Sequence, residues 1–417
     1  MTWYLKTSTF AGVKKNRTTI LSKLLRIRPS FWGVGSIFLA TNFMLGGWLS
    51  RLPGLKTALD LGEHELGLAL LGLPLGALLG NYLSGYMLKH LRTGQLAVWG
   101  IQLVITFIIL LCFAFNWFTL LFSLFLVGIA NGATNVAMNT AADVIERQEE
   151  TNMMSAVHGM FSLGGFLGAL AGGIGVHFGI SLPLQLLGQG VLISGVIWYF
   201  HHHIYYVQAS IGTDEAGGGS LSLPKKKQLI LPALIGFCIM VGEGGVSDWG
   251  PIFLKQVQSS SAFMAALAYG GFSFTMAIGR FSGDRIRQRI PSRHLLVGGS
   301  GLGLAGLLIA LISPWPWLSV VGFSLTGLGF SNAVPVLFSM AASMVPHRPD
   351  RGIAFMANTA VVGFLLAPPS IGFLAEAVSL TFALSVLAVL AGLAAVGSWL
   401  LRPIATGRVA WQSSPGG

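Results

Sequence analysis

Residues 229–252 read LILPALIGFCIMVGEGGVSDWGPI. Apart from Glu243 and Asp248 the stretch carries no charge. It is long enough to cross the hydrocarbon of a bilayer as a helix, which takes about 20 residues. Comparable stretches recur along the whole chain. Of 417 residues, 53% are hydrophobic and only 9% charged, with a mean hydropathy of +0.72. Soluble domains are about 25% charged. So few charges leave most of the surface to lipid, and the 56 glycines suit helices packed closely there.

The expected fold is all-α: an integral membrane protein of twelve transmembrane helices arranged as two six-helix bundles. Spans are expected near 31–50, 66–88, 94–115, 118–142, 153–177, 182–203, 229–252, 260–284, 293–312, 316–344, 352–376 and 379–402. A basic tail (1–30) precedes the first bundle (31–203). A polar, glycine-rich linker (204–228) joins it to the second (229–402), and a short tail (403–417) follows. All lysines and arginines except Arg51, Lys56 and Lys255 fall on one face of this topology, Arg280 among them. The positive-inside rule makes that face cytoplasmic, with both termini. The basic loops then face anionic lipid heads, which accounts for the net charge of +11 without nucleic acid. Cys112 and Cys238 lie inside apolar runs and read as small buried hydrophobes.

The halves repeat at an offset of about 199 residues: Gly80 matches Gly279, Gly128 matches Gly327, and Gly164 matches Gly363. Ser50-Arg51 in the first half faces Ser247-Asp248 in the second. Repeated bundles of this kind place a solute site near the bilayer midplane, between the halves.

Glu243 is the most expensive residue in this scheme. An ionised acid at the centre of a span costs about 2.5–3.5 kcal/mol. It must face a wet cavity, hold a proton or pair with a cation. Glu243 is therefore the first candidate for solute binding and proton coupling. Asp248, nearer the periplasmic end, is expected to meet Arg51 in a gating contact, and the neighbouring Trp249 to sit in the interfacial belt or against solute. Asn131, Asn135 and Asn139 recur every four residues along span 4, a polar stripe that faces either a cavity or another helix. Asn42, Asn332 and Asn358 are further amides within spans. Amides supply donor and acceptor together, which suits a hydroxyl-rich solute. His158 in span 5 is a candidate proton relay or a fixed hydrogen-bond partner. Gly164, Gly168 and Gly172 are expected to pack span 5 tightly on another helix. Asp284 and Arg285 close span 8 as a candidate cytoplasmic latch.

The stretch GRFSGDRIRQR (279–289) resembles the loop motif of the major facilitator superfamily, with Gly279, Asp284 and Arg285 at the matching places; its first-half counterpart GYMLKHLRTG (85–94) lacks an acid. RLPGLK (51–56), NGATNVAMNTAADVIE (131–146), MSAVHGMFSLGGFLGAL (154–170) and EGGVSDWGPIFL (243–254) resemble the fucose-permease-like branch. That resemblance implies import of sugars and related polyols, often with protons, and an acid in span 4 where this chain has Asn135. The branch includes permeases for inositol-like compounds and amino-cyclitols.

A secondary transporter is thus expected, moving a sugar-, polyol- or cyclitol-like solute by alternating access as a monomer among membrane lipids, with protons as the candidate coupling ion. Neither a cofactor nor a metal is expected. The chain lacks the nucleotide-binding pattern GxxxxGK[ST] and the hydrolase patterns HExxH and GxSxG, so an enzyme is not expected. A multidrug exporter on the same fold and a non-transporting receptor are the alternatives.

Overall fold

The computed structural model describes residues 29–151, 153–209, 227–345 and 349–401. The expected tails, most of the linker and Arg348 lie outside the described residues. So does the side chain of Asp284. The described chain is helical almost throughout. Eleven segments are long and apolar enough to cross a membrane, and α1 (Pro29–Leu49), 21 residues without a charge, supplies the twelfth crossing.

Span 1 is α1, followed by the short α2 (Leu52–Ala58). Span 2 is broken into α3 (Glu63–Leu70) and α4 (Gly72–Met87). Spans 3 to 6 are α5 (Thr93–Leu110), α6 (Trp117–Glu149), α7 (Met154–His177) and α8 (Leu182–Phe200). Spans 7 to 9 are α9 (Ile230–Gln256), α10 (Ala262–Arg287) and α11 (Ser292–Ile312). Span 10 is broken into α12 (Pro316–Phe330) and α13 (Ala333–Met344); α14 (Pro349–Ala377) and α15 (Leu380–Leu400) complete the second half.

Both breaks have a local cause. Proline has no N–H to donate four residues back. Pro74 withholds a bond from Leu70, where α3 ends, and Pro335 withholds one from Ser331, where α12 gives way to α13. Span 10 is therefore two helices rather than the continuous run expected from hydropathy. The step of glycines along α7 packs it on α1. A Cβ at Gly164 would strike the Leu39 carbonyl, one at Gly168 the Phe43 carbonyl, and one at Gly172 the Ser50 hydroxyl.

The face bearing the 50–62 turn is called distal below, and the opposite face, toward the six–seven linker, is the linker face. At the distal face α3 of the first half closes on α14 of the second. A Cβ at Gly67 would lie 2.8 Å from the Pro368 carbonyl oxygen and 3.1 Å from Cα of Gly372, so only glycine allows this backbone approach. Glu376 Oε2 accepts a hydrogen bond from the Glu63 backbone N–H at 2.9 Å and lies 3.5 Å from His64 Nδ1. Lys56 Nζ pairs with Glu63 Oε2 at 3.2 Å. The halves also meet along α7 and α10, where Phe166 packs on Phe274 with ring centroids 4.8 Å apart.

Candidate functional site

The seam between the halves holds a polar cluster at mid-depth. Glu243 is the fourteenth of the 27 residues of α9, about 20 Å from either end. Its Oε1 lies 3.4 Å from Nη2 of Arg280, and both side chains are largely buried, each 14% exposed. Nη1 of the same guanidinium donates to Ser162 Oγ on α7, in the other half, at 2.7 Å. Ser162 Oγ in turn donates to the His158 carbonyl at 3.4 Å. Arg280 thus links an acid of the second half to a hydroxyl of the first. Glu243 Oε2 is buried without a hydrogen-bond partner.

Arg280 is the residue that the reading of the sequence places wrongly. It belongs to a basic run and counts there as a loop charge, yet it lies seven residues inside the end of α10 and turns its guanidinium into the seam. The repeat carries a signal for it: Gly279 matches Gly80, so Arg280 matches Asn81, which is inside α4 and not in a loop.

A second tie lies nearer the distal face. Tyr269 Oη donates to Asn42 Oδ1 at 3.0 Å, joining α10 to α1, with both side chains buried. Gly165 of α7 makes room for them. A Cβ there would lie 2.5 Å from Asn42 Nδ2, 2.8 Å from Tyr269 Oη and 3.0 Å from Ser273 Oγ.

The other candidate residues are dispersed. Asn131 has a buried Oδ1 without a partner. Asn135 is exposed, and Asn139 Nδ2 donates to its Oδ1 at 2.6 Å, so this part of the stripe bonds to itself. Asn358 is exposed on α14. Asn332 donates to the Gly279 carbonyl at 3.1 Å and fastens the break in span 10 to α10. His158 sets its ring edge against Phe38, centroids 5.2 Å apart. Trp249 is fully buried and is not part of an interfacial belt.

Arg51 and Asp248 do not pair. Arg51 Nη1 donates to Gln185 Oε1 at 2.9 Å and Nη2 to the Ile180 carbonyl at 3.0 Å, both in the first half. The guanidinium finds neutral acceptors on its own bundle, and the expected gating pair of Arg51 with Asp248 is not formed. Arg285 is exposed at the linker end of α10.

Comparison with known proteins agrees with this architecture. The family model for the Major Facilitator Superfamily matches residues 31–304 and 260–414. "Membrane protein MosC" of Rhizobium meliloti is 33% identical over 83% of this chain and 84% of its own length. The crystal structure of the nucleoside transporter NupG superposes with a TM-score of 0.65 at 15% identity, covering 89% of this chain and 98% of that one. The E. coli fucose:proton symporter FucP does so with a TM-score of 0.59 at 17% identity, covering 90% and 98%. The chain belongs to the major facilitator superfamily, and its fold is the twelve-helix fold of these transporters.

Proposed function

We propose that this transporter moves a small polyhydroxylated solute, a sugar, polyol or inositol-like compound including its amino derivatives, through the seam between its halves by alternating access. The observation that carries this reading is the Glu243–Arg280–Ser162 chain. A buried ion pair is a poor way to gain stability, because desolvation of both groups offsets their attraction. Ionisable groups at this depth mark solute or ion paths. The pair lies between two bundles whose relative motion would break or remake the bond to Ser162.

The chemistry of the cluster favours hydroxyls. Glu243 Oε2 is a buried acceptor without a donor, and Asn131 Oδ1, outside the cluster, is another. Buried acceptors of this kind call for donors, which a polyol supplies in numbers. A lipophilic drug would leave them unmet. Coupling follows from the same carboxylate: a proton arriving at Glu243 competes with Arg280 for it, with His158 one turn from Ser162 as the relay. The linker face is then cytoplasmic in a bacterial inner membrane and the distal face periplasmic. The protein works as a monomer in this reading.

The test is solute counterflow in proteoliposomes with a panel of sugars, inositols and their amino derivatives beside lipophilic cations. Exchange of a polyhydroxylated solute that Arg280→Gln abolishes supports the reading. Exchange of the lipophilic cations alone makes the protein an exporter of another class, and binding without exchange makes it a receptor.

A further inference from the structure

Asp248 is left without a counter-charge, and the surrounding geometry shows why. It is half-buried on α9, eight residues from Gln256 and so about 12 Å inside the distal end of the helix. Among the described residues no hydrogen bond reaches its carboxylate, and no lysine, arginine or histidine nitrogen lies within 4.0 Å. The distal lysines and arginines are all engaged elsewhere, and His177 packs its ring on Phe178 and Phe263. Arg51 is held by Gln185 and the Ile180 carbonyl, Lys56 by Glu63, and Lys255 by the Ser260 carbonyl at 3.3 Å. His64 lies beside Glu376, and Arg280 is committed to Glu243 and Ser162. Of the titratable groups on the helices packed against this part of α9, Tyr269 of α10 lies within Coulombic range of Asp248, as it does of Glu243. Tyr269 is neutral near neutral pH and spends its hydroxyl hydrogen on Asn42.

The two acids of the seventh span are therefore unlike. Glu243 is internally neutralised, whereas Asp248 is open. An acid at this depth faces water, holds a proton or pairs with a cation, and among the described residues no cation lies within 4.0 Å of it. We infer that Asp248 is a receiving site for one positive charge that enters from the distal side, either a proton or the ammonium group of an amine-bearing solute. A proton forms an O–H bond on one carboxylate oxygen. An ammonium forms N–H bonds to the same oxygens and leaves the carboxylate ionised. The site lies between the distal seal and the Glu243–Arg280 pair, so a charge bound there stands on the way to the seam. The inference rests on the proposed transport path for its meaning but not for its test.

That test needs no identified solute. The full chain in liposomes is titrated while infrared difference spectra follow the protonated-carboxyl band. Wild type, Asp248→Asn and Glu243→Gln are compared, each with and without methylammonium as the amine probe. Asp248→Glu, which keeps the acid, controls for damage to the fold. A titrating band lost in Asp248→Asn but retained in Glu243→Gln and Asp248→Glu supports the inference. If methylammonium moves the midpoint of that band to lower pH, the site takes ammonium groups. If it leaves the midpoint unchanged, the site is a proton site. An Asp248→Asn spectrum identical to wild type, in titration and in methylammonium response alike, overturns the inference. Counterflow abolished by Arg280→Gln while Asp248 proves silent would leave the transport reading standing and remove only this site.

Discussion

Arg280 stands between two carriers of opposite allegiance: its Nη2 lies 3.4 Å from Glu243 Oε1 in its own half, and its Nη1 donates to Ser162 Oγ in the other half at 2.7 Å. Removing the guanidinium strands a buried carboxylate. Breaking a buried pair from one side costs about 3–5 kcal/mol, whereas neutralising both partners is often harmless. Arg280→Gln should therefore lower the thermal midpoint of the purified protein clearly, and Glu243→Gln added to it should restore most of the loss. Equal destabilisation by the single and the double variant would show that the pair is not a unit.

Ser162 contributes a hydrogen bond to a charged donor, worth about 1.5–3 kcal/mol. Ser162→Ala should lose stability on that scale without stranding a charge, since Arg280 keeps Glu243. Ser162→Thr retains the hydroxyl and should recover most of it. A thermal-midpoint series over the three proteins checks this, and an Ala variant as stable as wild type would contradict it.

The distal seal offers a choice between packing and charge. The His64–Glu376 pair is 42% and 48% exposed, and water screens the attraction of an exposed pair. Gly67, by contrast, has no room for a side chain against Pro368 and Gly372. Packing should dominate. Gly67→Val should hold the distal face open, while Glu376→Gln should shift the equilibrium only slightly. A cysteine introduced as Ser273→Cys, in a chain with Cys112 and Cys238 replaced by Ala, reports on this through an impermeant thiol reagent applied from the distal side. Faster labelling in Glu376→Gln than in Gly67→Val would reverse the ranking.

Tyr269 and Asn42 tie α10 to α1 near the same seal. Tyr269→Phe removes the hydroxyl and leaves the Asn42 oxygen without its donor, at a cost of about 1–3 kcal/mol. The same cysteine assay should show a modest rise in distal labelling, smaller than for Gly67→Val.

Much of this protein is written in its sequence, for a physical reason. Lipid demands long apolar runs, so hydropathy marks helices plainly, and the one mid-span carboxylate stands out because its position is so costly. The breaks after Leu70 and Phe330 are written too, in Pro74 and Pro335, but hydropathy averages over them. What sequence order does not show is partnership. Arg51 and Asp248 face one another in the repeat, yet the guanidinium reaches Gln185 at 2.9 Å because α8 of its own bundle is nearer. Arg280 hides in a basic run, since a long side chain can place its charge about a turn away from where its Cα suggests. Asn332 looks like a solute ligand by composition and proves to donate to the Gly279 carbonyl of α10, a tie between two helices of its own half.

The most direct test of the transport account is counterflow in proteoliposomes loaded with a mixture of inositols, hexoses and their amino derivatives, comparing wild type with Arg280→Gln and the Glu243→Gln/Arg280→Gln pair. The expected result is exchange of at least one of these solutes by wild type, loss in Arg280→Gln, and loss in the double variant even though its thermal midpoint recovers. Exchange at the wild-type rate in the double variant would contradict the account, because the seam could then carry solute without its ion pair.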